Sequence, residues 1–200
     1  MLRAGLTGGI ACGKSVVAAM LREFGCAVLE TDPLAHELIE PGRPAFAEIV
    51  REFGPGVQEP GGRIDRAKLG AIVFADREKL SRLDRIVHPR IFEELERQLA
   101  ELARPGGPPV AVVEAALLVE TGYDRELDRL IVVWCRPEQQ RARLASRGLS
   151  PEQVESRIAA QMPVEEKRRR ATDEIDNSGS LTETRLQVER LAAKLKQSAA

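Results

Sequence analysis

Leu2-Arg3-Ala4-Gly5-Leu6-Thr7-Gly8-Gly9-Ile10-Ala11-Cys12-Gly13-Lys14-Ser15-Val16-Val17-Ala18-Ala19-Met20-Leu21-Arg22-Glu23-Phe24 is the stretch whose reading decides the fold. Leu2 to Thr7 is a short apolar run with a single charge, the pattern of a buried strand. Val16, Val17, Met20, Leu21 and Phe24 recur at helical spacing, and Gly25 supplies a helix stop. Between the two lies Gly8 to Ser15, which matches GxxxxGK[ST] in full. A glycine-rich turn can match that pattern by chance. The flanking strand and helix supply the context that makes it a phosphate loop.

Each residue type in the loop has a physical reason. Glycines permit the backbone turns that point successive amide N–H groups at phosphate oxygens. The helix that follows adds its free N–H groups and the positive end of its dipole. The expected triphosphate-binding residues are Gly8, Gly9, Ala11, Cys12, Gly13, Lys14, Ser15 and Val16. Lys14 reaches the β- and γ-phosphates as a point charge, and the Ser15 hydroxyl is the expected ligand of Mg²⁺. The side chain of Cys12 receives no catalytic role.

Outward from the loop, the 200-residue chain alternates short apolar runs with helical patterns. Cys26 to Leu29, Val110 to Val113 and Leu130 to Trp134 read as further buried strands, and Ile175 marks a last short one. Helical patterns cover Glu138 to Arg147, Pro151 to Met162 and Leu181 to Leu195. Residues 33–108 differ: they are charged, helical over Lys79 to Arg85 and Ile91 to Ala103, and broken by Gly and Pro turns. The expected fold is α/β, a P-loop three-layer αβα arrangement with a mainly parallel five-stranded sheet. Its core covers 1–32 and 109–200, with a helical insertion at about 33–108.

Bulk properties narrow the function. The formal net charge is −1 and aromatics make up 4% of residues, so neither a basic field nor a stacking platform favours a nucleic-acid partner. No apolar run approaches about 18 residues, so no membrane span is expected. The three cysteines are widely spaced and form no CxxC pair, which fits a reducing, cytoplasmic setting.

Among P-loop proteins, guanine readers carry an NKxD segment, which is missing here, and the third strand ends in Glu114 rather than aspartate. A small-molecule kinase needs an acceptor site and a positively charged lid. Asp32 lies just past the second strand, at the sheet edge where ligands bind, and can take the proton of an attacking hydroxyl. Asp followed by Pro33 also makes a good helix N-cap. Arg136, Arg141, Arg143 and Arg147 cluster on a predicted helix, with Arg143 and Arg147 sharing a face, and can close over a triphosphate. Lys167 to Arg170 reads as a solvated face, and Trp134 and Phe74 read as core. His88-Pro89-Arg90 reads as structural or as part of an anion site in the acceptor region. A nucleotide or nucleoside kinase and a P-loop regulatory binding protein remain the alternatives.

At this point the residues resemble a family. Leu6-Thr7-Gly8-Gly9-Ile10-Ala11-Cys12-Gly13-Lys14-Ser15 is similar to the LTGGIGSGKS opening of dephospho-coenzyme A kinases. Glu30-Thr31-Asp32 stands at the family's Asp-Ala-Asp, and Gly62-Arg63-Ile64-Asp65-Arg66 resembles its G-x-(I/L)-(D/N)-R. Phe74 and His88-Pro89 follow at the expected distances. Leu117-Leu118-Val119-Glu120 resembles LL(F/V)E, and Glu138 to Leu144 resembles the E-x-Q-x-x-R-(L/M) lid helix, followed by Arg147. Gln161 and Asp176-Asn177-Ser178-Gly179 complete the set.

The resemblance implies ATP-dependent phosphorylation of the 3′-hydroxyl of dephospho-CoA, with Mg²⁺, as the last step of coenzyme A synthesis. It implies a single kinase domain in which the helical insertion at about 33–108 binds the acceptor and about 136–165 forms a mobile lid. It implies Asp32 as the catalytic carboxylate, with Lys14 and the lid arginines Arg141 and Arg147. Asp65, Lys68, His88 and Arg90 map, with Asp32, onto the acceptor region. The chain departs from the pattern at Glu30, His36, Ala116, Thr172 and Val16.

Overall fold

The computed structural model describes residues 1–199, and of Phe74 the backbone alone, so the expectation of a core role for that side chain lies outside the described residues. The chain divides into two compact units, residues 1–30 with 101–200, and residues 31–100.

The first unit is built on a parallel sheet of strands β1 (Leu2–Gly8), β2 (Ala27–Glu30), β3 (Val110–Glu114), β4 (Arg129–Trp134) and β5 (Asp173–Asp176). The order is β2-β3-β1-β4-β5, with every pair parallel. Strands β3 and β4 are almost wholly buried, which is why they read as unbroken apolar runs. Helix α1 (Lys14–Glu23) and the C-terminal helix α9 (Leu181–Ser198) cover one face. There Val17, Leu21, Val188, Leu191 and Leu195 pack on Leu6, Val112, Ile131 and Val133. Each such side chain, fully buried, contributes about 1.5–3 kcal/mol. On the other face, Gly5 lies so close to the methyl groups of Leu127 and Leu118 that an added Cβ would stand 2.8 and 2.9 Å from them.

From β1 the chain crosses past β3 to β2 on one side, and from β3 it crosses over β1 to β4 on the other. A crevice opens beyond the carboxyl end of β1, the place where such sheets bind ligands. Around that edge lie α6 (Pro137–Ala145), α7 (Pro151–Ala159) and α8 (Val164–Arg168). Thr172, one of the departures, hooks β5 to β4: its hydroxyl accepts from the Leu130 amide at 3.0 Å and donates to the Leu130 carbonyl at 3.2 Å.

The second unit contains α2 (Thr31–Leu38), α3 (Pro44–Phe53), α4 (Arg66–Phe74) and most of α5 (Arg77–Leu102). Its own core gathers Ile49, Val57, Ile64, Leu69 and Val73, with Leu80, Leu83, Ile86 and Val87 against it. The sequence reads as helical over Lys79 to Arg85 and Ile91 to Ala103, and one helix joins the two stretches through Pro89. A mid-helix proline costs about 3 kcal/mol because it removes a backbone donor. Packing of the residues just before it offsets that cost, and Arg90 donates to the Ile86 carbonyl in the same turn.

Candidate active site

The loop between β1 and α1 is shaped by close approaches. Gly8 has φ 152°, and a Cβ there would stand 2.0 Å from the Val133 carbonyl oxygen. Gly13 has φ 97°, and a Cβ there would stand 2.0 Å from Asn177 Nδ2. Ala11 sits at φ 59°, where a residue with a side chain carries about 1–2 kcal/mol of strain.

Three successive loop carbonyls are held by side-chain donors. Gln140 Nε2 donates to Ile10 O at 2.8 Å, Arg143 Nη1 to Ala11 O at 3.2 Å, and Asn177 Nδ2 to Cys12 O at 2.8 Å. Asn177 is itself fixed, because Thr184 Oγ1 donates to its Oδ1 at 2.9 Å and Arg143 Nη2 to its carbonyl at 3.0 Å. The Ile10 amide donates to Gln161 Oε1 at 2.9 Å. Tying down the carbonyls on one side turns the remaining amides to the other, the form of an anion-binding nest. Lys14 opens α1 at that point, so the helix dipole and the lysine charge add.

Ser15, the second residue of α1, donates its hydroxyl to Glu114 Oε1 at 3.4 Å. Glu114 ends β3 and is buried. This pair offers two hard oxygen ligands of the kind Mg²⁺ takes. Among the described residues no cluster of three or more His, Cys, Asp or Glu forms, so a Mg²⁺ here would take its remaining ligands from phosphate and water.

Beside the loop opens a cleft of about 440 Å³, lined by Ala11, Gly13, Val16, Arg143, Arg147 and Leu181 among others. Val16 and Leu181 are exposed there, giving it an apolar floor. Arg143 and Arg147 do share this surface, as their spacing suggests. Arg141 does not line it: Arg141 Nε and Nη2 grip Glu155 of α7 at 2.6 and 3.1 Å. Arg136 precedes α6 and fixes its start, its amide donating to Ser178 Oγ at 3.1 Å.

The run from Lys167 corrects the sequence expectation. Lys167 is fully buried, and its ammonium donates to Ala116 O at 2.7 Å and pairs with Glu120 Oε1 at 2.7 Å. Glu120 also accepts from the Met162 amide at 3.0 Å, and Thr7 Oγ1 donates to the same Ala116 carbonyl at 3.1 Å. Lys167 therefore joins α8 to the loop after β3. Replacing it with methionine should destabilise the protein by about 1.5–3 kcal/mol, because the hydrogen bond from a charged donor to the Ala116 carbonyl and the pairing with Glu120 are lost. Urea unfolding checks this. A single variant as stable as the parent would show the pair to be idle. Arg168, next in the run, stacks its guanidinium 4.1 Å from the centroid of the half-buried Trp134.

In the second unit the candidate acceptor residues are held in separate local pairs. Asp65 caps α4, accepting from the Ala67 and Lys68 amides at 3.1 and 3.0 Å, and it pairs with Lys68 Nζ at 3.2 Å. The Lys68 amide above all, then its ammonium, holds the Asp65 carboxyl below the usual range. His88 Nε2 lies 3.4 Å from Asp84 Oδ1, and Arg90 Nη2 pairs with Glu48 Oε1 at 2.5 Å. Asp32 is not an N-cap: α2 already begins at Thr31, and Asp32 is its second residue. Its side chain is exposed and makes no hydrogen bond or ion pair among the described residues.

Of the residues that hold the loop, the sequence offers Arg143 as a lid arginine, while Gln140, Gln161 and Asn177 stand in the segments of the resemblance without a role of their own. Their signal was present in the E-x-Q-x-x-R segment, where Gln140 and Arg143 stand three apart on one face of α6.

Comparisons with known proteins agree with this geometry. Residues 2–183 match the dephospho-CoA kinase family. A dephospho-CoA kinase from Symbiobacterium thermophilum is 55% identical over 186 residues, covering 92% of this chain and 77% of the relative. Among solved structures, a protein from Thermus thermophilus is 38% identical and superposes with a TM-score of 0.83 over 96% of both chains. A dephospho-CoA kinase from Campylobacter jejuni is 26% identical, with a TM-score of 0.74 over 99% of this chain and 98% of its own.

Proposed function

The chain belongs to the dephospho-CoA kinase family, and from that premise we propose that it transfers the γ-phosphoryl group of ATP to the 3′-hydroxyl of dephospho-CoA. The products are CoA and ADP, and the step is the last of coenzyme A biosynthesis. The observation that carries the donor half is the loop at Gly8–Ser15, whose carbonyls at Ile10, Ala11 and Cys12 are tied back by Gln140, Arg143 and Asn177.

In this reading the loop amides and Lys14 receive the β- and γ-phosphates, and the cleft beside Val16 and Leu181 takes the base and ribose. Ser15 and Glu114 would hold Mg²⁺, which would supply neutralising charge to the phosphate oxygens. Asp32 orients the acceptor hydroxyl and takes its proton as the new O–P bond forms. Arg147, already at the cleft, meets the transferring charge. Arg141 joins it by leaving Glu155, which costs little because exposed ion pairs are worth only about 0.2–1 kcal/mol. The segment around 136–165 acts as the lid, and closing it excludes water and limits futile hydrolysis. The helical segment about 33–108 binds the acceptor, with Lys68, 54% exposed, meeting its anionic part. Asp65, His88 and Arg90 shape that surface. The enzyme works in the cytoplasm on two small molecules, without nucleic acid or membrane. Among the described residues no helix is long and apolar enough to cross a membrane.

Measurement of ADP release with Mg-ATP and dephospho-CoA, then AMP, then no acceptor tests this. Stimulation by dephospho-CoA alone is the expected result. Stimulation by AMP alone would make the protein a nucleotide kinase, and no stimulation by either would make it a nucleotide-binding protein.

A further inference from the structure

Phosphoryl transfer leaves two buried thiols without a role. Cys12 is inside the phosphate loop and 1% exposed, and Cys135, the first residue past β4, is 3% exposed. Cys135 donates its S–H to Cys12 Sγ, with the sulfurs 3.6 Å apart. Cys12 Sγ also packs on the backbone of Gly9, where an added Cβ would stand 2.9 Å from it. A displacement of that sulfur is thus transmitted to the loop at two points, Cys12 and Gly9. The family opening quoted above has serine at this position, so the thiol is not a requirement of the phosphate site.

The surroundings make the two sulfurs unequal. The Cys135 S–H, followed by the charges of Lys14 and Arg143, outweighs burial and brings the Cys12 thiol down to about 7. The same contact and its own burial push Cys135 up. Cys12 is the better nucleophile and Cys135 the resolving thiol. Cys26, also buried and raised by that burial, is a free thiol elsewhere in the unit.

We propose that Cys12 and Cys135 form a redox modification site, a dithiol that hydrogen peroxide converts to an intramolecular disulfide and that thereby disables the phosphate loop. The Cys12 thiolate attacks one peroxide oxygen, the O–O bond breaks, and hydroxide leaves and is protonated to water. Cys135 then attacks the Cys12 sulfenic sulfur, the S–O bond breaks, and the Cys135 proton leaves with the oxygen as a second water. Two thiols and one peroxide give one disulfide and two waters, and a small dithiol reverses the change by exchange. A disulfide bond of about 2.05 Å requires the sulfurs to close by roughly 1.5 Å. Amides aimed at phosphate lose alignment over such a shift. Because both sulfurs are covered, peroxide enters only when the loop opens, and bound nucleotide slows the reaction.

The proposal rests on the loop being the ATP site, and its test keeps the two apart. The reduced full-length enzyme is treated with hydrogen peroxide, with and without Mg-ATP. Free thiols, linked peptides, binding of a fluorescent ATP analogue and ADP release are then measured. Free thiols should fall from three to one, with Cys12 linked to Cys135. Affinity for the nucleotide should fall at least ~10-fold, the loss of one charge-assisted hydrogen bond. Dithiothreitol should restore it, and Mg-ATP should slow the loss. Cys135→Ser should keep the starting rate and form no disulfide, with Cys135→Ala as the second variant should the serine fail to fold. Cys26→Ser should oxidise like the parent. A link through Cys26, three thiols remaining after the affinity is lost, or a Cys12–Cys135 disulfide with unchanged affinity would each overturn it. The thiol count and linkage do not depend on the acceptor, so a failed dephospho-CoA assay leaves the dithiol intact, and the reverse also holds.

Discussion

Lys14→Ala should lower kcat/KM for ATP by ~10²–10³-fold, with most of the loss in kcat. In a phosphoryl transfer the charge on the bridging and γ-phosphate oxygens grows toward the transition state, and a fixed cation there stabilises that state more than the ground state. Removing one such preorganised group costs about this much in other enzymes. The amides of the loop remain, so nucleotide should still bind, several-fold more weakly. Lys14 is also the first residue of α1, where the helix dipole disfavours a cation and alanine is a good helix former. The thermal midpoint should therefore move far less than the rate. Steady-state kinetics with ADP release and a melting curve on the same sample separate the two. A variant that turns over normally would remove the loop from the donor site.

That contrast shows which parts of the molecule were legible in the sequence. Strands β3 and β4 are short and apolar, and their positions follow from burial on both faces, so Val110 to Val113 and Leu130 to Trp134 could be placed from composition alone. The phosphate loop was legible because its glycines answer local demands, such as the φ of 97° at Gly13. The side chains that hold it were not. Gln140 reaches across 130 residues of sequence to Ile10, and Asn177 across 165 to Cys12. Residue type alone does not show which carbonyl such an amide will reach, even where the segment that contains it is marked. Lys167 misled for the same reason: in a run of four basic residues only the fold shows which one turns inward to Glu120 and Ala116. At Pro89 a sound local rule lost to tertiary packing of the preceding turn. Lys68 and Arg90 are residue types suited to an anion, but each has a near carboxylate, Asp65 and Glu48, that pairs with it.

Asp32→Asn is expected to reduce kcat by ~10²–10⁴-fold, the range for losing a general base. The amide keeps the size and much of the hydrogen-bonding shape of the carboxylate, so the acceptor should still be oriented and KM for dephospho-CoA should change little. What the amide lacks is the ability to take the 3′-hydroxyl proton as the bond to phosphorus forms. Structural explanations for a loss of rate are few at this position. The Asp32 side chain is exposed and has no hydrogen bond or ion pair among the described residues. Its stabilising contribution is confined to a negative charge in the first turn of α2, worth about 0.3–1 kcal/mol. A stable, substrate-binding, nearly inactive enzyme is thus the expected phenotype, and equilibrium binding of dephospho-CoA beside single-turnover kinetics would display it. Near-normal turnover would remove Asp32 as the base. A loss confined to KM would instead make it an acceptor-binding residue only, because a group that acts on the proton in flight must show its effect in the rate of the chemical step.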